Sequence, residues 1–167
     1  MLRRRNASSL LQVSLFGAVT AVTMLSNLAG RIENYPELKA RIEQHVEETR
    51  RQSSLIEQCL QSLGSDSSML KDAGTKLMGL GQGLSGIFTS DEVAKGVLAT
   101  YAFEHMEIAS YRMLIGAAKQ VGEPEVQRVC EEILQEELAM AGWLEDNLDT
   151  ITQKFLAREG MGVTAKH

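Results

Sequence analysis

His45 and Glu48 stand three residues apart in a stretch of helical periodicity, so both project from one face of one helix. Glu104 and Glu107 repeat that spacing further along, and Glu137 interrupts a stripe otherwise made of Ile133 or Leu134, Ala141, Leu144 and Leu148. Around His45 the inward positions read Leu38, Ile42, His45, Thr49 or Glu48, Gln52, Ile56 and Cys59. Around Glu104 they read Val97, Tyr101, Ile108, Tyr111 and Ile115, with Glu104 inside the stripe and Glu107 flanking it one turn later. Three helices thus aim carboxylates, one of them with an imidazole, at a single level of a core. Ionised carboxylates left unpaired there cost on the order of several kcal/mol apiece. Arg41, Arg51, Arg112 and Lys119 fall off the stripes, so no basic side chain is expected to neutralise them. A pair of divalent or trivalent metal ions is a natural counter-charge, and oxygen ligands with imidazole suit iron and manganese alike. Taken singly, Glu47-Glu48-Thr49-Arg50-Arg51, Glu131-Glu132 and Glu136-Glu137 read as solvated surface faces, and spacing alone leaves both readings open.

The elements that would have to position these groups are helices. The 167 residues suit one domain, and the composition is rich in alanine, leucine, methionine, glutamate and glutamine, with two prolines and few aromatics. Periodicity and stop signals predict helices over about residues 9–32, 36–63, 89–121 and 124–156. Pro36 and Pro124 suit the first helical turn, Gly64 and Gly122 suit C-terminal stops, and Thr89 with Glu92 has capping-box spacing. A shorter crossover helix is predicted over residues 69–87. Its Gly79, Gly81, Gly83 and Gly86 fit close packing across a bundle end better than a flexible lid. Two helices, a crossover and two more describe an all-α, ferritin-like four-helix bundle. The expected organisation is a basic tail over residues 1–8, the bundle over 9–157 and a fraying tail over 158–167.

A net charge of −5 gives no electrostatic reason to expect nucleic acid as a partner. Cys59 and Cys130, without CxxC spacing, read as buried thiols in a reducing, cytoplasmic setting. The N-terminus offers a competing reading. Arg3, Arg4 and Arg5 precede a run from Asn6 to Gly30 with no charged residue, as in a signal peptide or membrane anchor. Ser8, Ser9, Gln12, Ser14, Thr20 and Thr23 dilute that run, and Asn27-Leu28-Ala29 is a poor cleavage site. A bundle helix is therefore the expectation, membrane contact through residues 7–29 the lesser one, and a faulty N-terminal sequence the least.

At these same residues the sequence resembles the YciE/YciF family, and the YciE branch in particular. The resemblance spans residues 24–166. It is carried by the stretch from Arg31 through Tyr35-Pro36-Glu37-Leu38 to His45, by Leu80-Gly81-Gln82-Gly83 and Gly86 to Glu92, by Phe103-Glu104-His105-Met106-Glu107 to Tyr111, and by Ile133-Leu134-Gln135-Glu136-Glu137. It implies a ferritin-like bundle, usually dimeric, linked to bacterial stress responses. It also implies di-metal ligands at His45 or Glu48, at Glu104 with Glu107, and at Glu137 or Glu136, holding iron or manganese. Gln52, Tyr101 and Tyr111 would support those ligands by hydrogen bonding. One departure is marked: where relatives carry a glutamate in the first helix, this chain reads Gly17-Ala18-Val19-Thr20, with Val22 where another glutamate is common and Gly142 where some relatives have an aspartate. Weaker or absent metal binding is the expected consequence. Metal-dependent peroxide or dioxygen chemistry is the leading functional expectation. A non-catalytic dimeric scaffold that has lost its metal, and a membrane-tethered bundle, are the alternatives.

Overall fold

The computed structural model describes residues 2–64 and 93–162, which form four long helices and the turns that join them: α1 (Leu2–Arg31), α2 (Pro36–Ser62), α3 (Val93–Val121) and α4 (Pro124–Gly160). The crossover helix expected over residues 69–87, its glycines and the Thr89/Glu92 capping box lie outside the described residues.

The punctuation residues act as their chemistry requires. Pro36 and Pro124 open α2 and α4, where a missing N–H costs nothing. Gly64 (φ +67°) and Gly122 (φ +72°) take the left-handed conformation that lets the chain leave a helix, and the N–H of Gly64 closes onto Gln61 O at 3.0 Å. Two helices run further than their apolar patterns predict. α1 begins at Leu2. α4 continues to Gly160, with Thr152 bonding back to Leu148 O, Gln153 bonding Asp149, and Arg158 in the last turn, where a cation suits the helix dipole.

Short turns make α1–α2 and α3–α4 antiparallel pairs, and α1 packs beside α3 while α2 packs beside α4. Two apolar clusters fix the directions. Leu25 and Leu28 of α1 meet Leu38 and Ile42 of α2, Val97 of α3 and Met140 and Leu144 of α4. Leu11 and Leu15 meet Ile56 and Leu60, Leu114 and Ile115, and Val126 and Ile133. α2 and α3 therefore run the same way, the arrangement of a bundle with one long connection. At Gly96 the tip of Leu28 from α1 packs onto the α3 backbone, where a Cβ would fall 2.5 Å from Leu28 Cδ1 and force that side chain to shift.

The stretch Ala7–Arg31 is long and apolar enough to cross a membrane by length and composition. Here its Leu11, Leu15 and Leu25 are fully buried against the other helices, so α1 serves as a wall of the bundle. Cys59 and Cys130 are buried free thiols in the second cluster, and burial pushes both up, Cys130 to about 12.

Candidate metal centre

Between the two clusters lies a polar layer. α2 contributes His45, Thr49 and Gln52, α3 contributes Glu104 and Glu107, and α4 contributes Glu137; none is more than 3 % exposed. Thr49 bonds back to His45 O at 2.8 Å, so its hydroxyl is satisfied within its own helix. The acids have no such local outlet.

His45 is the hub. Its Nδ1 lies 2.8 Å from Glu48 Oε2, and its Nε2 lies 3.1 Å from Glu104 Oε2 and 3.5 Å from Glu137 Oε2. Gln52 Nε2 donates to Glu137 Oε1 at 2.6 Å and to Glu136 Oε2 at 3.0 Å. Three side chains from three helices, His45, Glu104 and Glu137, bring one ligand atom each within 4.8 Å of one another. Several polar atoms in this layer are buried without a hydrogen bond: Glu104 Oε1, Glu107 Oε2, Glu137 Oε2, Gln52 Oε1 and the Tyr111 hydroxyl. Such orphaned oxygens are rare in a native core and mark a place where something positive belongs.

The charges in this layer shift one another strongly. Burial lowers the His45 pKa, but Glu104, Glu137 and Glu48 together overcome it and raise it to about 12, holding the ring charged. Burial raises Glu104 to about 8 against the opposing pull of His45. Glu107 is driven well up by burial first and then by the charges of Glu137 and Glu104. Burial also pushes Glu137 up, but His45, Glu104 and Gln52 outweigh it and hold the group below its ordinary value. Glu48, bonded to His45 and near Arg41, drops to about 2. Burial and the nearby Glu107 raise Tyr111. The opposed shifts of His45 and its neighbouring acids mark a cluster whose protons are held jointly, the imidazole offsetting part of the carboxylate charge.

The donor set fits a hard metal ion. A metal-bound imidazole commonly donates its other N–H to a carboxylate, which fixes its tautomer and aims its lone pair. Glu48 is placed for that duty, leaving Nε2 free to face Glu104 and Glu137. Glu48 thus holds the ring rather than joining the three ligand atoms.

The other residues singled out in the sequence divide cleanly. Glu107 is as buried as the hub, deeper than its flanking position indicated. Tyr111 is fully buried behind it. Tyr101 is half-buried and packs edge-on against His105, ring centres 4.5 Å apart, among the apolar side chains of the first cluster. Glu136 turns outward, where Arg51 pairs with it and also reaches Glu132 at 3.1 Å. Arg41 bonds Glu48 Oε2 at 3.3 Å. Both arginines do fall off the stripe, as read from the sequence, yet their long side chains reach the rim of the acid cluster, a correction to the expectation that no basic group would help there. The Arg41–Glu48 pair was legible, since seven residues are two helical turns. The Arg51–Glu136 pair crosses between helices and has no sequence signal. Ala18 is fully buried, but the α1 residue that faces an acid is Gly17: a Cβ placed on it would lie 3.2 Å from Glu107 Oε1. A Cβ on Gly142 would meet nothing within 4 Å.

The family described as Domain of unknown function (DUF892) matches residues 12–157. The chain belongs to that family. Among solved structures, this DUF892 chain is similar to a protein from Xanthomonas campestris pv. campestris, with 43 % identity, 95 % of this chain and 99 % of that one covered, and a TM-score of 0.80. It is similar to the E. coli stress protein YciF at 25 % identity, covering 91 % of this chain and 98 % of YciF, with a TM-score of 0.75. YcfI from Rhodopseudomonas palustris, at 24 % identity, 83 % and 92 % coverage and a TM-score of 0.62, shares the fold. The YciE/YciF likeness is thereby supported at the level of the family and of the ferritin-like bundle, while the YciE branch stays an expectation.

Proposed function

We propose that this DUF892 protein is a stress-associated, metal-binding ferritin-like bundle that holds iron or manganese at His45, Glu104 and Glu137. The observation that carries the reading is the convergence of those three buried ligand atoms within 4.8 Å, with carboxylate oxygens left unpartnered beside them. The stress association rests on the likeness to YciF, itself named a stress protein. Cytoplasmic residence and a homodimer belong to the same proposal.

When bound, either metal supplies redox chemistry with peroxide or dioxygen. The chain's own groups do the rest. Glu48 orients the His45 ring, Gln52 holds one oxygen of Glu137 so that the other faces inward, and the two apolar clusters keep bulk water away from the layer. Elemental analysis of protein purified without added metal, with melting curves in ferrous or manganous salt, tests this. Bound metal and a raised Tm are expected. Metal-free protein whose Tm ignores both ions would overturn it.

A second reading has its own observation. Because both ring nitrogens of His45 lie within 3.5 Å of carboxylate oxygens of Glu48, Glu104 and Glu137, a protonated ring would partly neutralise the cluster without any metal, and the chain would then be a non-catalytic dimeric scaffold. Glu104→Ala separates the two: stabilisation of the variant favours the scaffold, whereas destabilisation that chelator abolishes favours an occupied site.

A further inference from the structure

Resting on that metal-binding reading, we infer that the centre takes a single ion rather than a pair, because α1 carries no carboxylate and meets Glu107 with Gly17 instead. The three ligand atoms within reach of one ion come from α2, α3 and α4. A second ion, about 3.5–4 Å from the first in two-metal sites, needs terminal ligands of its own. The neighbouring acids are already committed. Glu48 accepts from Gln44 at 2.8 Å on Oε1 and from His45 and Arg41 on Oε2. Glu136 accepts from Arg51 on Oε1 and from Gln52 on Oε2. Among the described residues this leaves Glu107, which is 3 % exposed and has one oxygen without a partner. Its other oxygen faces Gly17, and α1 has no acidic residue there to share an ion with it. Beyond the two acids already holding the first ion, a second would find one further carboxylate, with only the neutral Gln52 Oε1 and Tyr111 hydroxyl beside it, too little negative charge to hold another divalent ion.

Metal-free full-length protein titrated with Mn(II), followed by native mass spectrometry and electron paramagnetic resonance, tests this. One ion per chain is expected, with the resolved hyperfine pattern of an isolated Mn(II). Two ions per chain with a broad exchange-coupled signal would overturn the single-ion inference and leave the metal-binding reading standing; no bound manganese would remove both. Gly17→Asp adds a carboxylate along the direction that already faces Glu107, and is expected to raise the stoichiometry to two and broaden the signal. Gly17→Ala, which adds no ligand, keeps one. Ala18→Glu repeats the test one residue on should Gly17→Asp fail to fold by circular dichroism. If a folded acidic variant still binds one isolated ion, the absence of an α1 ligand is not what limits the site.

Discussion

His45 Nε2 and Glu104 Oε2 lie 3.1 Å apart in a layer closed to solvent, joined by a proton where a metal ion could sit. Metal and proton therefore compete for the same lone pairs, and acidity should set both stability and affinity. In metal-free protein, Glu104, raised from 4.5 to about 8, binds more proton folded than unfolded, so its contribution is full below pH 4.5 and is lost as pH rises through about 8. His45, raised from 6.5 to about 12, has the same sign, lost as pH climbs towards 12. Glu48, lowered from 4.5 to about 2, has the opposite sign and is lost as pH falls through about 2. Metal-free protein is thus expected to weaken from about pH 5 upward, while stabilisation by manganese grows over the same range. Urea unfolding at several pH values, with chelator and with Mn(II), should give two diverging curves. Parallel curves would contradict the exchange.

Glu48→Gln isolates the orienting role. The amide keeps the shape but loses the charge that fixes the imidazole with Nε2 inward. Removing such a partner behind a metal ligand typically weakens binding about 10–100-fold. Calorimetric titration with Mn(II) is expected to show that loss without a change in stoichiometry. An unchanged affinity would mean Glu48 is only a surface acid paired with Arg41.

Glu104→Gln separates charge from coordination. Above about pH 8 the wild-type residue is a buried carboxylate, and an uncharged isostere should stabilise metal-free protein by on the order of 1 kcal/mol, or about 2–4 °C in Tm for a domain this size. The same variant should lose the gain that a hundredfold excess of metal over its Kd confers on wild type, about 2.7 kcal/mol. Melting curves at pH 9 and at pH 7, with and without Mn(II), read both effects. A variant that still responds fully to metal would remove Glu104 from the ligand set.

Most of the inward stripe of α2 could be read from the sequence: Leu38, Ile42, His45, Gln52, Ile56 and Cys59 are all buried, and the choice left open between Thr49 and Glu48 falls to Thr49. A 3.6-residue period is a local property, and so are the proline starts at 36 and 124 and the glycine stops at 64 and 122. The convergence of Glu104 and Glu137 on His45 was legible only as a shared level on separate stripes. The partition between Glu137 and Glu136 was not legible, because adjacent residues differ by about 100° around a helix and either could have led the seam inward. Arg51, from a neighbouring helix, captures Glu136 and so leaves Glu137 to face His45. Gly17 shows the same limit from the other side. The sequence places the missing acid at Ala18, and only the packing of α1 against α3 shows that Gly17 is the residue against Glu107.

The outer face of the α1–α3 pair carries the last prediction. Leu98, Met106 and Met113 on α3 are 65 %, 51 % and 63 % exposed, and Val19 and Val13 on α1 are 52 % and 44 % exposed. α1 has no charged residue from Asn6 to Gly30, so its exposed side has little to keep it apart from another apolar surface. α1 and α3 pack side by side, which places these residues on adjoining helices of one wall. A second copy meeting this wall through a two-fold axis would bury them in a self-complementary contact. The full chain is expected to run as a dimer by light scattering at micromolar concentration, and Leu98→Glu with Met113→Glu to convert it to a folded monomer with its Mn(II) binding intact. Glu145→Lys, at an exposed position on α4, should leave the dimer unchanged. If wild type is instead monomeric and co-floats with lipid vesicles, residues 7–29 meet a membrane rather than a second copy. A monomer that ignores vesicles would leave this wall without either occupant.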